Sequence, residues 1–459
     1  MVKHIVADIG AEFRGAQLGD DRRNARLILL AESMAKNPDT SFPKALSEAG
    51  LEAAYRFFSN VKVEPERVLR PHIEQTLARI AGSETIVVHD STKLSFSSEY
   101  REGLATRGDT QQLLVHCSLA IKADGSRTPL GVLALSRHVP TKTKKRLLQK
   151  RWGEHIQATH GLGISVANAV HLMDREADDY ELFDQLTRIG ARFVVRMRHD
   201  RALGPESVRE SLARAQVRAE RGVVLTRRGK QAGSKQRQIH PPRNERTAQL
   251  AIATHRVTIP RTRSARNARN ESVSLNVVHV WEGEPPSGQK PVDWVLYTSE
   301  PIDTPEQILQ VVDWYRARWT IEEYFKVLKT GCAMEKRQLA DSYALSNALA
   351  LLAPIAWRLL LLRNEARDQP KSPATQVFES DEIEVLRAAV VKRRRLPENP
   401  TVLDAMLSIA SLGGHLKHNG PPGWQTLAGG YEKLCGLVDG WRLRCAAEPG
   451  FLPQLRDQS

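Results

Sequence analysis

The segment from Thr304 to Gly331 carries a phenol, two cations and a carboxylate at spacings that could act together. Thr304 is a good N-cap, Pro305 suits the first helical position, Gln307 completes a capping box and Gly331 suits a C-cap, so the spacing predicts one helix. With Tyr315 at zero and about 100° per residue, Arg318 falls near 300°, Glu322 near 340° and Lys329 near 320°. Trp314, Ile321, Phe325 and Leu328 fall on another side, at roughly 220–280°. One side can bury, and a polar stripe can face a ligand. Glu322 lies in that stripe, whereas Glu323 falls near 80°. A carboxylate beside Arg and Lys suits a site that handles metal and phosphate together. An exposed helix with ion pairs, such as Glu322 with Lys326, fits the same pattern.

Two further acids end short strand-like runs, the first of them β-branched. Thr85-Ile-Val-Val-His-Asp90 and Ala169-Val-His-Leu-Met-Asp174 both read as strands that finish in a carboxylate. Leu113 to Ile121 and Pro129 to Leu135 are strand candidates around the turn Ala123-Asp-Gly125, and Arg192 to Arg196 is a fifth. Helices are expected at about Lys145 to Thr159 and from Tyr180 to about Ile189, the first entered through Lys142, Lys144, Lys145, Arg146, Lys150 and Arg151. The order β-β-β-α-β-α-β puts Asp90 and Asp174 on separate strands of one mixed sheet. No stretch has EF-hand or Walker A spacing. Two strand-borne aspartates and Glu322 could instead form an open carboxylate site for two Mg2+ ions serving the attacking and leaving oxygens at phosphorus. Taken singly, each aspartate also fits a helix cap or a surface position.

The chain has 459 residues, with 67 Lys+Arg against 53 Asp+Glu and a formal net charge of +14. That basic excess, with a pI near 9.7, suggests a polyanionic partner. Four scattered cysteines without a C-x-x-C argue against a zinc ribbon or a disulfide framework and fit a reducing cytoplasm. Leu351 to Leu362 is apolar but interrupted by Pro354 and Arg358, so a buried helix is expected and no membrane partner.

Residues 1–70 read as a helical module that contacts DNA. Gly19 and Asp20 would start a helix whose first turns carry Arg22, Arg23 and Arg26, and a cationic first turn invites an anion such as a DNA phosphate. Near a second helix end, Tyr55 and Phe58 are expected in the core, with Arg56 as another contact. Residues 71–365 read as the catalytic core, with a β-rich insertion at about 200–300. The insertion holds the basic run Arg227, Arg228, Lys230, Lys235, Arg237, Arg243 and Arg246, and strands near Ala248 to Thr258, Glu271 to Trp281 and Asp293 to Thr298. Trp294 could wedge against a base or fill the space left by an extruded one, or it could be an ordinary core residue. Residues 366–459 read as a helical module for a protein partner or dimerisation. His415 and His418 there make a poor metal pair, and Lys392 to Arg395 form a basic face.

Together these residues resemble the insertion-sequence-four family of bacterial DDE transposases. Tyr315-x-x-Arg318-x-x-x-Glu322-x-x-x-x-x-x-Lys329 matches its Y-(2)-R-(3)-E-(6)-K signature. The likeness extends to Leu18-Gly-Asp-Asp-Arg-Arg-Asn-Ala-Arg-Leu27, Ala54-Tyr-Arg-Phe57, Asp90-Ser-Thr92, Asp174-Arg-Glu-Ala-Asp178, Arg192-Phe-Val-Val-Arg196, the stretch from Trp294 to Pro301 and Leu412-Gly-Gly414. It departs at Phe325, where a histidine is expected. The resemblance implies an α/β, RNase H-like mixed-sheet core interrupted by a β-rich insertion and flanked by helical modules. It implies Asp90, Asp174 and Glu322 as catalytic, metal-binding acids for two Mg2+ ions, with Mn2+ as a substitute. It implies cut-and-paste transposition through nicking, hairpin formation and opening, and strand transfer. Tyr315, Arg318 and Lys329 would hold DNA beside a flipped base, Trp294 would fill the vacated stack, and Arg196 and Lys326 would touch the transposon end. The implied partners are transposon-end DNA with its terminal inverted repeats, target DNA and a second copy in a synaptic complex, in a bacterial cytoplasm at the nucleoid. Two rivals are an RNase H-like nuclease or resolvase without strand transfer, and a non-catalytic DNA-binding descendant of a transposase.

Overall fold

The computed structural model describes residues 9–36, 38–97, 100–139, 145–225, 241–391, 394–416 and 421–447. Ten strands follow the mixed order β2-β3-β1-β5-β6-β10-β9-β8-β7, with β4 also pairing β3. They are β1 (Thr85–Phe96), β2 (Ala105–Arg107), β3 (Thr110–Lys122), β4 (Pro129–His138), β5 (Ala169–Met173), β6 (Arg192–Arg196), β7 (Val217–Leu225), β8 (Arg246–Pro260), β9 (Ser272–Glu282) and β10 (Asp293–Thr298). The expected mixed sheet, β-rich insertion and helical N- and C-terminal regions are all present. The sequence pattern missed β2 and β7. In β7, charged residues at Arg218, Glu220 and Arg221 dilute the apolar signal that usually marks a strand.

The chain divides into two compact units, one of residues 83–90 and 145–319, the other of residues 1–82, 91–144 and 320–459. The first unit holds α5 (Lys145–Gly161), α6 (Tyr180–Arg188), α7 (Val208–Ala213) and α8 (Pro305–Ala317). Its parallel ladder pairs β1 with β5 and β5 with β6, and β10 then adds antiparallel to β6. The alternation of β5 and β6 is lost because both faces are covered, as parallel strands require. Phe183 on α6 stacks on Phe193 at 6.0 Å and meets Tyr297 edge-on at 5.3 Å, in a core that also takes in Trp152, Ile156 and Met173.

The other unit is built around a 27-residue helix, Ser342–Asp368, the expected buried helix, labelled α10. Among the described residues it alone is long and apolar enough to cross a membrane, but its apolar window is wholly buried. Trp357 on it donates from Nε1 to the Pro129 carbonyl at 2.9 Å, beneath the Arg79 guanidinium at 4.2 Å. The N-terminal helices α1 (Asp21–Lys36), α2 (Phe42–Ala45), α3 (Glu48–Phe58) and α4 (Pro65–Ile80) belong to this unit. Phe58 packs on Phe42 at 5.2 Å, and its carbonyl accepts from the Asn347 amide at 2.8 Å. Phe57 and Phe58 are buried, whereas Tyr55, expected in the core, is half-exposed. The C-terminal helices are α11 (Ser380–Val390), α12 (Val402–Leu412) and α13 (Trp424–Ala447).

The expected single helix from Thr304 to Gly331 is three segments. The Thr304–Gln307 capping box forms as expected and starts α8. The helix breaks at Arg318, resumes as α9 (Trp319–Lys326) and ends in a π-helical turn, Val327–Gly331, capped by Cys332 instead of Gly331. A wider turn no longer advances by the α-helical angle, so the angular position expected for Lys329 does not hold.

Candidate active site

Asp90 and Asp174 are brought together. The parallel β1–β5 register pairs His89 with Met173, so the next residue on each strand is one of the two acids. Both were expected at strand tips. Asp174 follows directly on β5, but β1 runs on to Phe96, so Asp90 lies within its strand, one residue past the last rung of that ladder. The Asp174 carboxylate accepts from the Glu176 backbone N–H at 2.8 Å, capping the short 3-10 turn Arg175–Ala177.

Two arginines face these acids. Arg318, at the C-cap of α8, donates to Asp90 Oδ2 at 3.1 Å, and both side chains are mostly buried. Arg151 on α5 is 4% exposed, lies 4.9 Å from the Trp152 ring and donates to Glu176 Oε2 at 3.0 Å. Burial lowers its pKa, opposed by the charges of Glu176, Asp174 and Asp90. Arg151, read in the sequence only as part of the basic run entering this helix, belongs to the site. Burial pushes the Asp174 carboxyl up, while its backbone bond and the Arg318 and Arg151 charges pull it back and the Glu176 charge adds to the rise. Tyr315 is 6% exposed, with its ring 5.8 Å from the Arg318 guanidinium. Half-buried Trp294 meets it edge-on, with centroids 5.9 Å apart. Burial pushes the Tyr315 phenol up against the opposing charges of Arg318 and Arg196.

Arg196 ends β6 opposite Leu296 and donates to the Asp293 carbonyl at 3.3 Å. Glu322 is half-buried on α9 in the other unit, where Glu323 lies 3.6 Å from Arg367. Lys326 is exposed. Lys329 donates to the Lys93 carbonyl at 2.6 Å and lies 3.7 Å from Glu335. In α1, Arg22 is exposed and Arg26 half-buried. Arg23 is committed inward, donating to the Leu18 carbonyl at 2.6 Å, so it shapes the helix start. Arg56 is ion-paired with Glu52. Lys142, Lys144, Arg227, Arg228, Lys230, Lys235, Arg237, Lys392, Arg393 and His418, and the side chains of Lys145 and Arg146, lie outside the described residues.

Sequence reasoning missed three supporting features. Glu176, two residues beyond Asp174, links Arg151 to the acid turn. Asp178 accepts from the backbone N–H groups of Arg198 and His199 at 2.6 and 2.9 Å and from Arg201, anchoring the chain after β6. The third is a histidine chain. His160 Nδ1 faces the Ile164 carbonyl at 3.0 Å, which can only accept, so Nδ1 carries a proton. With neutral rings, His160 Nε2 then accepts from His171 Nε2 at 3.1 Å, and His171 Nδ1 accepts from His89 Nε2 at 2.8 Å. Burial keeps His89 and His171 uncharged, with His171 pushed down to about 3.

The two acids follow the same rung of the β1–β5 ladder and offer hard oxygen donors, and the burial that raises the Asp174 pKa disfavours its bare charge. Both features fit a divalent cation. Residues 9–63 match the family described as transposase DNA-binding, and residues 81–357, more than half the chain, match the transposase DDE domain. Among solved structures, a similar chain occurs in the cryo-EM structure of a piggyBac transposase synaptic complex with hairpin DNA. It is 10% identical with a TM-score of 0.36, covering 80% of this chain and 73% of that one, too distant to argue from. With the DDE domain matched across the span that holds both aspartates, this chain belongs to the DDE transposases, metal-dependent enzymes of phosphoryl transfer on DNA.

Proposed function

We propose that this transposase moves a bacterial insertion sequence of the insertion-sequence-four type by cut and paste, acting at the nucleoid. It nicks one strand at each transposon end, forms and opens a hairpin, and joins the freed ends to target DNA. Asp90, Asp174 and Glu322 are the metal-binding acids in this scheme, for two Mg2+ ions or Mn2+ in their place. The bound ions would neutralise charge developing at phosphorus. Residues 1–70 grip the terminal inverted repeat, with Arg22 and Arg26 reaching phosphate and Arg23 holding the helix start. Residues 71–365 are the catalytic core, and residues 366–459 carry the contact with a second copy.

The observation that carries this reading is the adjacency of Asp90 and Asp174 beneath Arg318. Arg318 holds Asp90 in place before DNA arrives and can then turn to a phosphate. Arg151 acts through Glu176 as a positioning residue, fixing the turn that aims Asp174. Tyr315 holds the DNA backbone beside a flipped base together with Arg318 and Lys329, and Trp294, which meets Tyr315 edge-on, fills the stack that the base vacates. Arg196, Lys326 and Lys329 supply backbone contacts along the transposon end.

Asp90→Asn, Asp174→Asn and Glu322→Gln should each cut nicking of an end duplex by about a thousandfold or more, consistent with loss of metal-borne charge stabilisation. Binding of that duplex should persist. Nicking retained in any one variant removes that acid from the scheme. Pre-cut ends then separate a transposase from a simple nuclease, because only the former yields joined product.

A further inference from the structure

We propose that the loop joining β8 to β9, residues 261–271, is a second DNA-binding surface that grips duplex phosphates without reading sequence. It rests on DNA being the substrate and not on the assignment of the three acids. The loop reads Arg261-Thr-Arg-Ser-Ala-Arg-Asn-Ala-Arg-Asn-Glu271. Small residues and arginines alternate in steps of three. Ala265 and Ala268 are buried in the core of their unit, while Arg263, Arg266 and Arg269 are exposed.

The loop is held firmly. Arg261 and Glu271 close its base at 2.8 Å. Asp184 on α6 is buried and accepts the backbone N–H groups of Arg269 and Asn270 at 3.1 and 3.0 Å. Tyr180 donates its hydroxyl to the Asn270 carbonyl at 3.0 Å. Glu181 takes both the backbone N–H and the side-chain amide of Asn267, at 3.1 and 3.0 Å. A buried carboxylate, a phenol and a surface carboxylate from one helix therefore fix the loop backbone.

That anchoring fixes the backbone that carries the three exposed arginines. Among the described residues none of the three has an ion-pair partner, although Arg261 beside them does. Three like charges clustered on a rigid loop repel one another, and a polyanion relieves that repulsion. One N–H of the Asn267 amide is already given to Glu181, which ties that side chain back to α6. What remains are guanidinium groups, suited to phosphate oxygens. Because the loop is preorganised, little ordering entropy opposes binding.

The test uses the full chain and a duplex of random sequence lacking any transposon end, in EDTA so that no cleavage occurs. Affinity is measured by fluorescence anisotropy across a salt series for the wild type and for a chain with Arg263→Gln, Arg266→Gln and Arg269→Gln. The slope of log affinity against log salt should become shallower by roughly 0.9 per arginine engaged, about 2.7 for all three. The corresponding Arg→Lys triple variant should keep most of the slope. An unchanged slope in the Gln chain overturns the proposal, and so does an equal loss in the Lys chain, which would mark a structural effect. Metal-dependent nicking plays no part in this readout, so failure of the acid assignments would leave the result interpretable.

Discussion

Arg318→Ala should make the metal-free protein less stable and its response to Mg2+ larger. In the wild type Arg318 is the direct partner of Asp90 at 3.1 Å, and both side chains are at most 15% exposed. Removing one member of a buried ion pair leaves the other uncompensated, which costs about 3–5 kcal/mol. For a unit of this size that is roughly 6–20 °C in unfolding temperature, at about 2–4 °C per kcal/mol. A divalent ion supplies the missing positive charge and competes with Arg318 for Asp90, so its affinity should rise when Arg318 is gone. Each tenfold gain in affinity adds about 1.4 kcal/mol to the stabilisation at saturating metal.

The pH sign follows from Asp174. Its folded pKa is raised, chiefly by burial, and losing the Arg318 charge raises it further. A raised carboxyl contributes stability below its unfolded value, and that contribution is lost as pH rises through the folded value. The metal-free variant should therefore weaken across that rise, and the Mg2+ effect should appear over the same interval. The assay is scanning calorimetry of wild type, Arg318→Ala and Arg318→Lys, with Mg2+ and with EDTA, without DNA. If metal-free Arg318→Ala unfolds with the wild type, or if Mg2+ shifts it no further than the wild type, Arg318 is not standing in for a cation.

Two other perturbations test the frame. Glu12 accepts from His72 Nδ1 at 2.5 Å and from Arg79, and His72 Nε2 accepts from the Val132 N–H at 3.0 Å. Glu12→Ala should cost about 3–5 kcal/mol in urea unfolding. Burial lowers the His72 pKa, while its own two partners outweigh burial and lower that of Glu12. Both contributions are present above the unfolded values and are lost as pH falls, so wild-type stability should decline below about pH 6.5; in the variant the Glu12 part of that decline, below about pH 4.5, should vanish, while the His72 part deepens because Glu12 no longer raises the His72 pKa. Gly413 and Gly430 face each other where α12 meets α13, and a Cβ on either would strike backbone of the other helix. Gly430→Ala should lower the unfolding temperature and speed proteolysis within 380–447, and a variant as resistant as the wild type would refute that close approach.

The parts of the site that were legible in sequence rest on local rules. Thr304 and Gln307 cap a helix whatever surrounds it, and the short runs ending in Asp90 and Asp174 make strands by composition alone. What stayed hidden depends on partners distant in the chain. Arg151 sits in a basic run that looks solvated, and only packing against Trp152 and Glu176 turns it toward the acids. The helical wheel put Tyr315 on a polar stripe because a phenol beside Arg318 looks wet, yet Tyr315 is buried edge-on against Trp294. The same wheel assumed one uninterrupted α-helix, and the break at Arg318 is what a wheel cannot represent. Arg318 closes α8 with torsions that are still helical, and from there its guanidinium reaches Asp90. The residue at the end of α8 is thus the one that ties the helix to the strand-borne acid, a link that no helical wheel could show because its partner lies 228 residues earlier in the chain.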